Sequence, residues 1–191
     1  MKIGLFFGSF NPIHIGHVIL GNHIQQFGGI DEVWFVVTPR SPFKQHVSLT
    51  DDYERLNMVN LALEDYPHLK SSKVEFDMPQ PNYTVHTLAQ LSENYPQHDF
   101  SLIMGEDNLL SLHKWKNSEF LVKSYDILVY PRISDSKKQP KIDLSRVKKV
   151  NAPIIQISST FIRKCIHDNK IYRPYLPSRV FDYIDGSNLY K

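Results

Sequence analysis

Gly8-Ser9-Phe10-Asn11-Pro12-Ile13-His14-Ile15-Gly16-His17 follows directly on an apolar run, Lys2 to Phe7, and its reading decides the fold. Ile3, Leu5, Phe6 and Phe7 in so short a run suit a buried strand of a parallel sheet. Gly8 lets the backbone leave that strand and approach a ligand with no Cβ in the way. Pro12 stiffens the turn, and Ile15, Val18, Ile19 and Ile24 carry helical spacing from Ile15 to Phe27. Strand, tight turn and helix start therefore follow one another. A helix start presents unpaired N–H groups and about half a positive charge, which attract phosphate. Ser9, His14 and His17 add donors to the same anion.

The rest of the chain repeats this alternation. Glu32 to Thr38 reads as a second buried strand, and Pro39 to Ser48 as a loop with Pro and basic residues. Asp51 and Glu54 have capping-box spacing ahead of a helix whose apolar residues are Leu56, Met58, Val59, Leu61, Ala62 and Leu63. Lys73 to Phe76 is expected to be a short strand, 78–82 a loop, and Thr84 to Leu91 a helix. Phe100 to Met104 reads as a strand, with a helix beginning near Asn108, and Ile127 to Tyr130 as another strand. Ser134 to Lys149 is polar and Lys-rich, a surface excursion. Ile154 to Ile157 is expected to be the last strand, Ser158 or Ser159 to cap a helix, and Pro177 to start the closing helix at its first position. This alternation predicts an α/β fold: one doubly wound parallel sheet with helices on both faces, a single domain over 1–191 with a C-terminal helical segment.

Composition narrows the function. The 191 residues suffice for one domain, and 22 basic against 20 acidic side chains leave a net charge of +2, too small for a nucleic-acid surface as the main task. A single cysteine, Cys165, excludes an internal disulfide and any paired-cysteine metal or redox unit. There is no long uncharged apolar run, and Met1 leads straight into a strand, so no membrane partner is expected and the expected compartment is the cytoplasm.

In an open parallel sheet, ligands bind beyond the carboxyl ends of the strands where strand order reverses. Polar residues collect at several such ends here: Ser9 to His17, Arg40 to Lys44, Asn82 to Thr84, Gly105 to Asp107 and Ser158 to Arg163. Each has a plainer alternative. His14 and His17 can cap or pack, or form half of a zinc site, but zinc needs three or four ligands and neither H-E-x-x-H nor a cysteine partner is present, so no metal-ligating set is expected. Ser158 can be an ordinary N-cap and Arg163 a solvated cation. Asp107 can hold a ribose hydroxyl or cap a helix. Trp115 can be core, or a flat face for a heteroaromatic ring. Asn82, Tyr83 and Thr84 can offer backbone N–H groups to a carboxylate, or only a cap.

Together these residues resemble the nucleotidyltransferase superfamily with the motif G-x-F-x-P-x-H-x-G-H, and within it the bacterial nicotinate-nucleotide adenylyltransferase family. GSFNPIHIGH, the Pro-Phe-Lys loop, NYTVHTL, GEDNLLSLHKW, ISSTFIR and the tail YLPSRVFDYI with Leu189-Tyr190 match in order along nearly the whole chain. The resemblance implies a Rossmann-like nucleotidyltransferase fold and transfer of the adenylyl group of ATP to nicotinate mononucleotide, with Mg²⁺ carried by the ATP phosphates. It implies His14, His17 and Arg163 as catalytic residues. ATP would be bound by these three with Gly8, Ser9, Phe10, Lys44, Gly105, Asp107, Ser158 and Ser159, and the pyridine nucleotide by Tyr83, Thr84 and Trp115. A homo-oligomer stays open. Three residues depart from the family pattern: Phe43 stands for a usual His, His86 for a frequent Asp, and Asn11 for the commoner Asp.

The competing readings are an adenylyltransferase for nicotinamide mononucleotide or phosphopantetheine, a nucleotide-binding regulator without turnover, and an interaction protein using Lys137 to Lys149. His14-Ile15-Gly16-His17 is also similar to class I aminoacyl-tRNA synthetases, but the chain is too short and lacks a Lys-Met-Ser-Lys-Ser loop.

Overall fold

Apolar residues alternate along the first strand, β1 (Lys2–Gly8): Ile3 and Leu5 pack on one face of the sheet and Phe6 on the other. That two-sided burial puts β1 at the centre. The computed structural model describes residues 1–39, 49–133 and 139–191. The chain continues as α1 (Ile15–Phe27), β2 (Glu32–Val37), α2 (Asp52–Leu63), β3 (Leu69–Ser72), α3 (Thr84–Asn94), β4 (Asp99–Gly105), α4 (Glu106–Ser111), a 3₁₀ turn at Leu112–Lys114 and α5 (Ser118–Ser124). It ends with β5 (Asp126–Tyr130), β6 (Val147–Lys149), α6 (Ser159–His167), a second 3₁₀ turn and α7 (Ser178–Asp185).

All six strands are parallel, in the order β3-β2-β1-β4-β5-β6. From β1 the chain first builds outward through β2 and β3, then returns to lay β4 on the opposite side. The order therefore reverses between β1 and β4, and the segments leaving those two strands diverge to opposite faces. Phe6 pairs with Ile103, which sets Gly8 and Gly105 level at the carboxyl edge. One face is covered by α1, α2, α6 and α7 through residues such as Ile24, Met58, Ile162 and Val180. The other is covered by α3, α4 and α5 through Leu88, Leu109 and Leu121.

Several expectations are corrected. The third strand is Leu69–Ser72, and Lys73 to Phe76 is a turn closed by the Phe76 N–H on the Lys73 carbonyl at 2.9 Å. Ile154 to Ile157 forms no strand: Ile154 is exposed, while Ile155 and Ile157 pack side chains on the α1 face without main-chain pairing. The sixth strand is instead Val147–Lys149, inside the expected surface excursion. Arg146 and Lys148 both reach Asp126, at 3.2 and 2.6 Å, and Lys149 reaches Glu106 at 3.3 Å, so these cations are paired within the fold. Residues 134–138 of that excursion lie outside the described residues. On α1, Leu20 is buried and Ile19 exposed. Helix α4 starts at Glu106 rather than near Asn108, and Pro177 precedes α7 as its cap.

Candidate active site

The turn that leaves β1 is held by its own aromatic residue. Phe10 has φ +43°, a region a bulky residue enters only when its surroundings hold it there. Its ring is buried against Phe6, Phe35 and His17, a burial of about 1.5–3 kcal/mol. A Cβ on Gly8 would lie 2.8 Å from that ring, so the glycine is required for the ring to fold back. The Phe10 side chain belongs to the core, so what Phe10 presents at this turn is its main chain.

His14 caps α1 and is buried; its ring stacks on that of His17 at 3.7 Å between centroids. The His14 main-chain N–H donates to Nδ1 of His17 at 3.3 Å. An accepting Nδ1 puts the proton of a neutral His17 ring on Nε2. Burial, and secondarily the Arg132 cation, hold the His14 pKa down at about 4. His14 is therefore uncharged near neutral pH.

Asn11 ties this turn to three distant segments. Its Oδ1 accepts from the Tyr190 hydroxyl at 2.8 Å and the Thr50 N–H at 3.3 Å, and its carbonyl accepts from Arg163 Nη1 at 2.7 Å. Its Nδ2 is buried without a partner among the described residues. Ser159 Oγ donates to the Pro12 carbonyl at 2.8 Å, and Ser158 Oγ accepts from the Phe161 N–H at 3.2 Å. The Ser159 hydroxyl proton is thereby spent within the protein, whereas Ser158 only accepts among the described residues and keeps its O–H free to donate, beside the remaining first-turn N–H groups of α6. Arg163 has further guanidinium donors beyond those facing Asn11 and Thr160.

Arg55, which sequence reasoning passed over, underlies the site. It is fully buried on α2 and donates to the carbonyls of Thr50, Ser9, Thr38 and Pro39 and to the Asp52 carboxylate. It thus joins the exits of β1 and β2. The available signal was its place at the head of the helical series Arg55, Met58, Val59, Ala62, which is the buried stripe. Arg132, just past β5, was also missed. Its Nε lies 3.9 Å from Asp107 Oδ1, and its charge reaches His14. Asp107 is exposed at the start of α4, and a Cβ on Gly105 would meet its carboxylate at 2.4 Å.

A cleft of about 480 Å³ opens beside the turn. Gly8 and Ser9 form part of its wall, with Thr38, Glu75, Asn82, Tyr83, Thr84, Lys116 and the half-buried Trp115 forming more of it. Tyr83 precedes α3 without a side-chain cap; the His86 N–H turns back to the Tyr83 carbonyl at 2.8 Å, while the N–H groups of Thr84 and Val85 have no partner among the described residues. Tyr83 and Thr84, at the start of α3, meet Trp115, from the segment after α4, in one cavity. His14, His17, Asn11 and Arg163 gather as a second group around the turn, with Arg132 and Asp107 adjoining through His14. His86 is exposed; among the described residues its ring meets the Tyr83 ring edge-on. Lys44, with Arg40 and Phe43, lies outside the described residues. Among the described residues no three His, Cys, Asp or Glu side chains gather as a metal site, and no helix is long and apolar enough to cross a membrane.

An open parallel sheet whose order reverses beside a histidine-bearing turn is the setting of a nucleotidyltransferase, and the cytidylyltransferase-like family model matches residues 5–165. Relatives named "Probable nicotinate-nucleotide adenylyltransferase" are 55% identical in Flavobacterium psychrophilum and 53% in Flavobacterium johnsoniae, with all of both chains covered. One from Cytophaga hutchinsonii is 45% identical over 100% of this chain and 98% of its own. The chain belongs to this nicotinate-nucleotide adenylyltransferase family. Its fold matches that of Plasmodium falciparum nicotinic acid mononucleotide adenylyltransferase complexed with NaAD, with a TM-score of 0.79 at 23% identity over 99% of this chain and 97% of the other. The same enzyme complexed with APC matches with a TM-score of 0.77 at 23% identity, over 99% and 96%.

Proposed function

We propose that the protein transfers the adenylyl group of ATP to nicotinate mononucleotide, releasing pyrophosphate and forming deamido-NAD in NAD biosynthesis. The observation that carries this reading is the junction of two sites: an anion-binding turn with His14, His17 and Arg163, and a cleft of ring-binding character that shares Gly8 and Ser9 with it. Full-length identity to the family above supports the same choice.

The nucleophile is a phosphate oxygen of nicotinate mononucleotide, largely ionised near neutral pH because its second pKa is about 6. It needs no general base. A new P–O bond forms at the α-phosphorus, the bond to the bridging oxygen of the β-phosphate breaks, and pyrophosphate leaves with the electron pair. In-line displacement inverts the α-phosphorus. The protein's task is to hold two anions in line and to stabilise charge developing on the leaving group. His14 and His17 supply N–H dipoles, Arg163 and Arg132 supply charge, and the starts of α1 and α6 supply main-chain donors. Mg²⁺ enters as part of the substrate, MgATP, since Mg²⁺ commonly rides on nucleotide phosphates and keeps its waters.

Trp115 offers its face to the pyridine ring, and the open N–H groups at Tyr83 and Thr84 receive the ring carboxylate. Asp107 is placed to take a ribose hydroxyl. We assign the reaction to the cytoplasm, with ATP and nicotinate mononucleotide as partners.

The test is pyrophosphate release with MgATP and, side by side, nicotinate mononucleotide, nicotinamide mononucleotide or phosphopantetheine. Strong preference for the first is expected. Preference for either other acceptor would overturn the assignment of the cleft, and ATP binding without any release would leave a regulator.

A further inference from the structure

Glu75 is 2% exposed, yet it lines the ring cleft. Its Oε1 accepts from the Thr87 hydroxyl at 2.7 Å, and its carbonyl accepts from Asn82 Nδ2 at 2.7 Å. Thr87 Oγ1 lies 3.4 Å from the Tyr83 carbonyl, so the carboxyl group is one side chain removed from the α3 N-terminus. Glu75 Oε2 and Asn82 Oδ1 are both buried and neither has a partner in good hydrogen-bond geometry among the described residues, although the Thr38 and Asn82 side chains lie near enough to Glu75 to favour its charged form. Two orphaned acceptors in one cavity wall are unusual, since buried polar atoms are nearly always satisfied.

Glu75 forms no ion pair among the described residues, whereas Glu32 is paired with Lys70 at 2.7 Å. Charged and titratable groups nearby are few. Tyr83 heads α3, and Lys114 and Lys116 come from the segment after α4, with Lys116 Nζ 4.4 Å above the Tyr83 ring. Lys73 and Asp77, on the loop of Glu75 itself, are exposed. β1 and β2 contribute only uncharged residues to the wall. Burial raises the pKa of Glu75, outweighing the opposing polar groups of Thr87, Thr38 and Asn82. A proton on Oε2 turns one orphaned acceptor into a donor.

We infer that Glu75 sets the choice between an acid and an amide on the pyridine ring, through the proton it carries. As a neutral carboxylic acid it leaves the wall of the pocket free of negative charge where a carboxylate must be received. Once ionised it places like charge beside that carboxylate, while an amide, being neutral, is little affected. The inference rests on the reaction proposed above, because it concerns the ring end of that site.

The experiment measures kcat/KM for nicotinate mononucleotide and for nicotinamide mononucleotide in the same protein preparation from pH 6 to about pH 9, the range buried glutamates reach. Taking their ratio cancels the shared phosphate, the ATP site and any loss of folded protein. The ratio is expected to fall about tenfold or more as pH rises. In Glu75→Gln, which is neutral at every pH, it should stay level. A ratio that does not change with pH in the unsubstituted protein would sink the inference, as would a Glu75→Gln ratio that still falls. Either result would leave the adenylyl-transfer reading intact. Turnover of neither substrate would overturn both.

Discussion

The two ends of the active site treat their polar groups in opposite ways. At the phosphate turn most are fastened to the protein: Asn11 to Tyr190 and Thr50, Arg163 to Asn11, Ser159 to Pro12, and Ser158 to its own helix. In the cleft the α3 N-terminus lacks a side-chain cap, and Glu75 and Asn82 each keep a buried oxygen without a well-aligned partner among the described residues. A triphosphate is bound by charge and by many donors, so a rigid, internally tied frame serves it without reorganisation during reaction. Recognition of one ring substituent needs groups whose hydrogen bonds only the right ligand completes. The contrast separates machinery for catalysis from machinery for choice.

The largest effect should come from the residue that supports both ends. Arg55→Leu removes one charge from a buried cluster and strips the carbonyls of Ser9, Thr38 and Pro39 of their donor. Breaking such a buried network typically costs about 3–5 kcal/mol of stability. Urea unfolding should show it, and a midpoint like that of the unsubstituted protein would mean that water replaces the guanidinium. His17→Ala strikes the phosphate end alone. Loss of a preorganised donor should lower kcat by about 10²–10³, roughly 2.7–4 kcal/mol. That loss should be equal for acid and amide substrates; an unequal one would erase the division drawn here.

Trp115→Ala strikes the ring end alone. Removing a stacking face costs about 1–3 kcal/mol, so binding of the pyridine nucleotide should weaken accordingly while the KM for ATP holds. Isothermal titration with each nucleotide separates the two, and a matching loss for ATP would show that the ends are not independent. The smallest effect belongs to Tyr190→Phe, which deletes one hydroxyl on Asn11. About 1 kcal/mol of stability should be lost, with a drop in kcat only if the Asn11 frame aligns Arg163. Chemical unfolding and steady-state rates on the same preparation distinguish those outcomes.

Local pattern carried much of this through to the final structure. The segment Gly8 to His17 could be read as a phosphate turn because strand, glycine, proline and helix start are consecutive in the chain. The central strands were legible because burial on both faces leaves an apolar run, as in Glu32–Val37 and Asp99–Gly105. Edge strands were not. Leu69–Ser72 and Val147–Lys149 are mostly polar and are strands only because a neighbour's main chain pairs with them. Ile154 to Ile157 misled for the converse reason, since its side chains can be buried without main-chain pairing.

By itself, then, the sequence determined the alternation, the glycine-led turn with its two histidines and the residue types brought to the carboxyl edge, because those depend on neighbours a few positions away. Only the tertiary structure decided which polar groups are spent and which are kept open. Arg55 finds Ser9 across 46 residues, Thr87 finds Glu75 across 12, and Tyr190 finds Asn11 across 179. Hydrogen bonds between side chains so far apart leave no periodic trace in a chain. They arise only when the sheet has closed and burial makes an unpaired polar atom costly.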